Sequence, residues 1–205
     1  DFSFPSEAVM TYGQKLSEAT LVGASGDGEF VFVNADSGTI TDLSDTVPNA
    51  GEREYQIAYI PEDKDLEHAE IREIKVTVSR KHVTAKAEAK SKVYGGATPE
   101  LTYEFDNNQL PECDKDNSEF DLGLTLTAGD GDDQFCDAGK YRIVAKAECE
   151  NRNYDVTVIP AYLTVSKRVA EIKWPEQTEY TYNGEPVGVD AQIVSPLAKK
   201  DDCEV

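Results

Sequence analysis

The chain is short of most residues from which catalytic sites are built. It has two histidines, four cysteines, one tryptophan and one methionine in 205 residues. It also contains no G-x-S-x-G, no H-E-x-x-H and no phosphate-cradling glycine loop followed by a lysine. Catalysis needs a nucleophile with a base, a metal cage, or an acid and base paired in a pocket, so the expectation is a non-enzyme with no catalytic residue, no cofactor and no metal. None of Cys113, Cys136, Cys149 and Cys203 belongs to a C-x-x-C pair, which leaves zinc and thioredoxin chemistry without support. Positive charge is scarce as well. With 20 Lys+Arg against 40 Asp+Glu, the net charge is −20, a field that repels phosphate backbones and anionic lipid alike. No nucleic-acid partner is expected, and no run approaches the ~20 apolar residues that insertion into a bilayer requires. An initiator methionine, a basic n-region and an apolar h-region are all missing, so the sequence is expected to be a fragment whose leader, if any, lies elsewhere.

What remains is an ordinary globular composition, 39% hydrophobic and 29% charged, sufficient for one or two packed domains. It also says nearly the same thing three times. A tyrosine followed closely by glycine stands in "VMTYGQKL" (Tyr12-Gly13), "SKVYGGAT" (Tyr94-Gly95) and "YTYNGEPV" (Tyr182, Gly184), and a period of this length marks a tandem array. Two segments, "REIKVTVSRKHVTA" and "PAYLTVSKRVAEI", run from an alternating β-branched stretch through Ser and two basic residues into a new alternating stretch, as one β domain ends and the next begins. Boundaries near Arg80 and Arg168 give repeats at 1–80, 81–168 and 169–205, the last incomplete. Neither junction has a Gly/Ser or Pro spacer, so the repeats are expected end to end with little bending.

Within the second repeat, "HVTAKAEAKSKVY" alternates Val83, Ala85, Ala87 and Ala89 with polar residues, the pattern of a half-buried strand. Further strands are expected at "ELTYEF", "DLGLTLTA", "GKYRIVAKAEC", "YDVTVI" and "AYLTVSK", and in the first repeat at "GEFVFV", "GEREYQIAYI" and "IREIKVTVS". The glycine-rich "GASGDGEF" (Gly23–Phe30) reads as a hairpin turn, and "PEDKDLEHAEIRE" as a loop or short helical turn with too few apolar residues for a helix stripe. The fold class is therefore all-β: tandem small antiparallel domains, each an Ig-like sandwich or, as the alternative, a β-grasp-like unit. Glycine beside tyrosine lets the chain turn where a Cβ would clash while the ring covers the core edge, so the recurring pair is read as a folding element.

These residues carry a resemblance. "VTAKAEAKSKVYGGATPELTYEF" with "AGKYRIVAKAECENRNYDVTVIPAYLTVSK" resembles the MBG domain of YGX type, in which a Tyr-Gly leads through a Pro and a short strand to a Gly-x-Tyr strand, an Asn-Tyr and a closing strand. The first repeat is similar to bacterial Ig-like repeats of Tyr-Gly-Gln type, departing at His68 and Ala69 where a tyrosine is common. The resemblance implies a segment of a bacterial cell-surface protein, extracellular and anchored through regions outside this sequence. Its function would be that of a stalk or spacer whose partners are neighbouring repeats. The alternative is an adhesin module that binds a host glycan or protein. "DNNQLPECDKDNSEFD" (Asp106–Asp121) is the loop long enough to serve the latter.

Two constellations remain. Asp130, Asp132, Asp133 and Asp137 crowd "TAGDGDDQFCD", but the pattern of a calcium loop is not completed, and a solvated acidic loop is expected. Cys113 lies eighteen residues after Gly95 and Cys203 nineteen after Gly184, so the two are read as equivalent. A Cys113–Cys136 bond would enclose the most acidic part of the second repeat and stabilise it by about 3 kcal/mol through the unfolded chain. Pairing of Cys113 with Cys149, or free thiols, stays open.

Overall fold

A computed structural model describes residues 1–36, 38–62, 64, 69–129, 137–176, 179–195 and 197–198. They form two compact units, each drawn from separated stretches of chain. The first comprises Asp1–Lys86, Glu104–Thr125 and Ala145–Ile159, and the second Ala87–Tyr103, Leu126–Val144 and Pro160–Val205. The all-β reading holds: the described residues form strands in several sheets, and the one α-helix, α1, is the single turn Glu112–Lys115.

The first unit holds a six-stranded sheet made wholly by the first repeat. In chain order its strands are β1 (Glu7–Thr11), β2 (Thr20–Val22), β3 (Glu29–Asp36), β4 (Thr39–Asp42), β5 (Gly51–Ile60) and β6 (Glu70–Ser79). Their order across the sheet is β2-β1-β6-β5-β3-β4. Alternation decides the faces. Ala8 and Met10 of β1 pair with Val76 and Val78 of β6, and Tyr55 of β5 pairs with Ile74. This face buries Ala8, Met10, Phe32, Ile57, Ile74, Val76 and Val78. The opposite face carries a smaller cluster of Val31, Val33 and Ala58, with Ile40, Ile60 and Ile71 packed against it. At roughly 1.5–3 kcal/mol for each fully buried aliphatic or aromatic side chain, the first face holds most of the repeat's stability.

The second repeat contributes a three-stranded sheet to the same unit. It consists of β7 (Lys81–Ala87), β9 (Tyr103–Phe105) and β12 (Tyr154–Ile159), ordered β12-β7-β9. The second unit has a four-stranded sheet of β8 (Lys90–Val93), β10 (Leu126–Ala128), β11 (Gly139–Ala145) and β13 (Ala161–Ser166), ordered β10-β11-β13-β8, built on buried Leu126, Ile143, Leu163 and Val165. The third repeat adds a two-residue ribbon of β14 (Ile172–Lys173) and β15 (Gln192–Ile193).

Three expectations need correction. The sheets are mixed, since β1 runs parallel to β6, β7 to β12, and β8 to β13. Alternation fixes which face a residue takes but not the direction of its neighbour, and parallel partners reached by long crossovers carry the same period as a hairpin. The stretch "HVTAKAEAKSKVY" is two strands in two sheets. It breaks at Glu88 and Ala89, where the Glu88 carboxylate accepts from the Thr102 hydroxyl and from Lys90 Nζ, and the inward phase passes from Val83, Ala85 and Ala87 to Lys92. Finally, "GASGDGEF" is a crossing connection, because β1, β6 and β5 lie between β2 and β3. Its glycines let the chain pass flush over Tyr59: a Cβ on Gly28 would sit 2.2 Å from the Ile60 carbonyl and 2.8 Å from Tyr59 Cζ, while the Gly28 amide donates to the Tyr59 hydroxyl at 3.0 Å.

Candidate functional site: the joint at the first Tyr-Gly turn

The Tyr-Gly turn of the first repeat sits directly after β1. Tyr12 donates its backbone amide to Ser79 O at the end of β6 (2.8 Å), and the Gln14 amide closes the turn on Thr11 O (3.1 Å). Gln14 Oε1 in turn accepts from the Thr11 amide at 2.6 Å, so all three residues of Tyr-Gly-Gln have work in the turn. Gly13 adopts φ +96°, and a Cβ there would lie 2.3 Å from Pro111 Cβ. Left-handed backbone and direct contact together make glycine the residue that fits.

Pro111 belongs to the second repeat, and so do the groups that enclose the Tyr12 ring. Tyr12 is 8% exposed and Tyr154 fully buried. Their rings meet edge to face at 5.5 Å between centroids. Phe120 meets Tyr154 the same way at 5.4 Å, and Phe105 follows at 6.1 Å. Such geometry adds about 0.5–1.5 kcal/mol per pair beyond area burial. One carboxylate binds the pair: Asp114 Oδ2 accepts from the Tyr12 hydroxyl at 3.0 Å and from the Tyr154 hydroxyl. Hydrogen bonds to a charged group are worth about 1.5–3 kcal/mol each. Burial first, and then the Asp114 carboxylate, push both tyrosine pKa values above the ordinary range.

A second set of contacts is polar. Asn153 Oδ1 accepts from the Ala50 amide at 2.9 Å and its Nδ2 donates to Asn49 Oδ1 at 3.1 Å, while the Lys81 amide donates to the Asn153 carbonyl at 2.8 Å. The Asn-Tyr pair of the second repeat is therefore joint material, Asn153 holding the loop before β5 and Tyr154 holding Tyr12. At Arg80 an ion pair to Glu148 spans 3.6 Å with both side chains exposed, and such surface pairs contribute little.

The loop Asp106–Asp121, singled out as a binding loop, supplies the receiving side of this joint. Asp106 caps a 3-10 turn at Asn107–Gln109. The Gln109 amide group brackets Thr84, accepting from its N–H at 2.8 Å and donating to its carbonyl at 3.2 Å. Leu110 is buried, and α1 presents Asp114 to the tyrosines. Cys113 on the same turn carries a free thiol 4.0 Å from the Tyr12 hydroxyl; burial, with the neighbouring Asp114 charge, raises its pKa. Cys149 is also free, buried, and directed at the Asn151 and Tyr154 carbonyls. Cys136, the expected partner of Cys113, lies outside the described residues, as do Cys203, His68 and three of the four loop aspartates, Asp130, Asp132 and Asp133. His82 bonds Thr157 Oγ1 across β7 and β12 at 2.9 Å. Among the described residues no three His, Cys, Asp or Glu side chains are grouped to hold a metal ion, and no helix is long and apolar enough to cross a membrane.

Residues 83–164, most of the second repeat, match the family model of the MBG domain (YGX type). No curated protein sequence matches the chain. Among solved structures, the crystal structure of Drosophila N-cadherin EC1-4 aligns at 10% identity over 92% of this chain, with a TM-score of 0.26. This chain spans 57% of that one, and at such a score the likeness bears on neither fold nor function.

Proposed function

We propose that the chain is a non-catalytic stalk or spacer segment of a bacterial cell-surface protein, its repeats arranged end to end outside the cell and anchored through other regions. The observation that carries this reading is the Tyr12–Asp114–Tyr154 cluster, in which the turn of one repeat is buried against the loop and strand of the next. A spacer must transmit position along its length. A joint that buries two aromatic rings and shares one carboxylate resists bending far better than a flexible linker does. The MBG match supports the surface assignment by family.

The adhesin alternative needs a free recognition loop. Asp106–Asp121 serves it poorly, since Gln109, Leu110, Pro111 and Asp114 are engaged inside the joint. Small-angle scattering of the whole chain tests the stalk. The expected result is a maximum dimension well beyond that of a sphere of this mass, unchanged by salt; a compact particle would overturn the proposal. Absence of saturable binding to a glycan array and to matrix proteins is the accompanying expectation.

A further inference from the structure

The joint geometry occurs twice in the chain, and a third turn of the same kind stands open. In the second repeat, Tyr94 follows β8 and donates its amide to Ser166 O at the end of parallel β13 (2.9 Å), as Tyr12 does to Ser79. Gly95 adopts φ +70°, and a Cβ there would lie 2.4 Å from Ala198 Cβ, matching the 2.3 Å between Gly13 and Pro111. Pro111 and Ala198 are equivalent residues. Each belongs to the repeat that follows its turn, each comes directly after a leucine, Leu110 or Leu197, and they stand sixteen and fourteen residues beyond the Tyr-Gly glycine of their own repeats. Leu110 and Ala198 are buried at 5% and 4% exposure. The same element of the following repeat thus seals the turn both times.

The third tyrosine and glycine, Tyr182 and Gly184, share the left-handed glycine, and no described residue seals them. Gly184 adopts φ +88°, yet a Cβ on it would meet no described residue within 4 Å, and Tyr182 is 90% exposed where Tyr12 is 8%. The third repeat also exposes Trp174, Val187 and Val189.

We propose that the Tyr182–Gly184 turn is a docking surface whose occupant is a further repeat of this class, presenting a Leu-Pro or Leu-Ala step followed by an acid. The occupied joint defines the chemistry of that partner. A proline or alanine lies flat on the bare glycine, a carboxylate placed as Asp114 is accepts from the tyrosine hydroxyl, and an aromatic edge meets the ring. This inference rests on the stalk reading only for the kind of partner. The docking contact is measured between molecules and is separate from the rigidity of the joint at Tyr12.

The test titrates isotope-labelled full chain with unlabelled full chain carrying Tyr12→Ala, which removes the Tyr12 ring and its hydrogen bond from Asp114, leaving that carboxylate with the Tyr154 hydroxyl and room for an incoming tyrosine. Expected are saturable chemical-shift changes confined to the Tyr182–Glu185 turn and its neighbours. They vanish when the labelled chain carries Gly184→Val and weaken at least several-fold when the probe also carries Asp114→Asn. Isolated contacts of this size bind with Kd on the order of 1 mM, within reach of the method. No shift at millimolar probe overturns the proposal, as do equal shifts with wild-type probe, which would mean non-specific apolar association. If Tyr12→Ala fails to fold, Tyr12→Phe removes one of the two hydroxyls on Asp114 and keeps the ring. Shifts at Tyr182 that depend on Asp114 are then still required, and their absence is equally fatal.

Discussion

Two glycines beside tyrosines in this chain share a left-handed backbone and differ in what is packed on them. At Gly13 the backbone is left-handed, a proline fills the space a Cβ would take, and the adjacent tyrosine is buried. At Gly184 the backbone is again left-handed, no described residue fills that space and Tyr182 stands in solvent. The left-handed glycine therefore forms without a partner packed on it. Burial of the tyrosine is a tertiary event supplied by the next repeat. The recurring Tyr-Gly is a folding element in both places and becomes a joint only where the acceptor loop is present.

The largest expected effect breaks the occupied side of this comparison. Tyr154→Ala removes a fully buried ring from between Tyr12, Phe120 and Asp114, and should cost about 3–5 kcal/mol, read as a fall in the urea midpoint of the first unit. Tyr154→Phe keeps the ring and should cost about 1.5–3 kcal/mol for the lost bond to a charged acceptor.

Next comes a pair of matched substitutions. Gly13→Val and Gly184→Val both force a branched residue into positive φ, at roughly 1–3 kcal/mol each, but only Gly13→Val must also displace Pro111. It should therefore exceed Gly184→Val by a further ~1–3 kcal/mol of overpacking. Equal losses in thermal unfolding would remove the distinction between an occupied and an open turn.

Ionisation sharpens the same contrast. Burial and Asp114 hold Tyr12 and Tyr154 protonated above the usual tyrosine value of about 10. Their raised folded pKa means that the unfolded chain releases these protons first. The stabilisation they give is complete below pH ~10 and is lost as pH rises through the folded values. Alkaline titration followed by tyrosinate absorbance should show late-ionising rings that disappear one by one in Tyr12→Phe and Tyr154→Phe. Ionisation of every ring in one step, with no concurrent unfolding, would contradict the buried joint. The smallest effect belongs to Arg80→Glu. Its 3.6 Å pair with Glu148 is exposed, so stability should change by no more than about 0.5 kcal/mol, and salt should erase the difference.

Much of the scaffold was legible from residues alone. Alternation located most strands, and Val83, Ala85 and Ala87 point inward as their period requires. Tyrosine, glycine and glutamine at 12–14 announced a turn. Strand partners were not legible, because β-branched alternation is the same for β6 beside parallel β1 as for β6 beside antiparallel β5. The choice between a two-sheet sandwich and a β-grasp-like unit depends on those partners. The joint was hidden for a related reason. Asp114 is one of 40 acidic residues and lies about a hundred positions from Tyr12, in a loop whose polarity suggested solvent. Nothing local marks it as the carboxylate that two tyrosines share. One signal could have pointed to it: Leu110-Pro111 and Leu197-Ala198 stand at similar distances after their Tyr-Gly turns, as the cysteine comparison already hinted for Cys113 and Cys203.

The central claim is that consecutive repeats are energetically coupled through Tyr12 and Asp114. A double-mutant cycle of Tyr12→Phe and Asp114→Asn, read by equilibrium urea unfolding, measures that coupling directly, since the two residues sit in different repeats and are joined by the 3.0 Å bond. A coupling free energy of about 1–3 kcal/mol is expected. Additive losses within about 0.3 kcal/mol would contradict it, leaving the two repeats in contact without being joined.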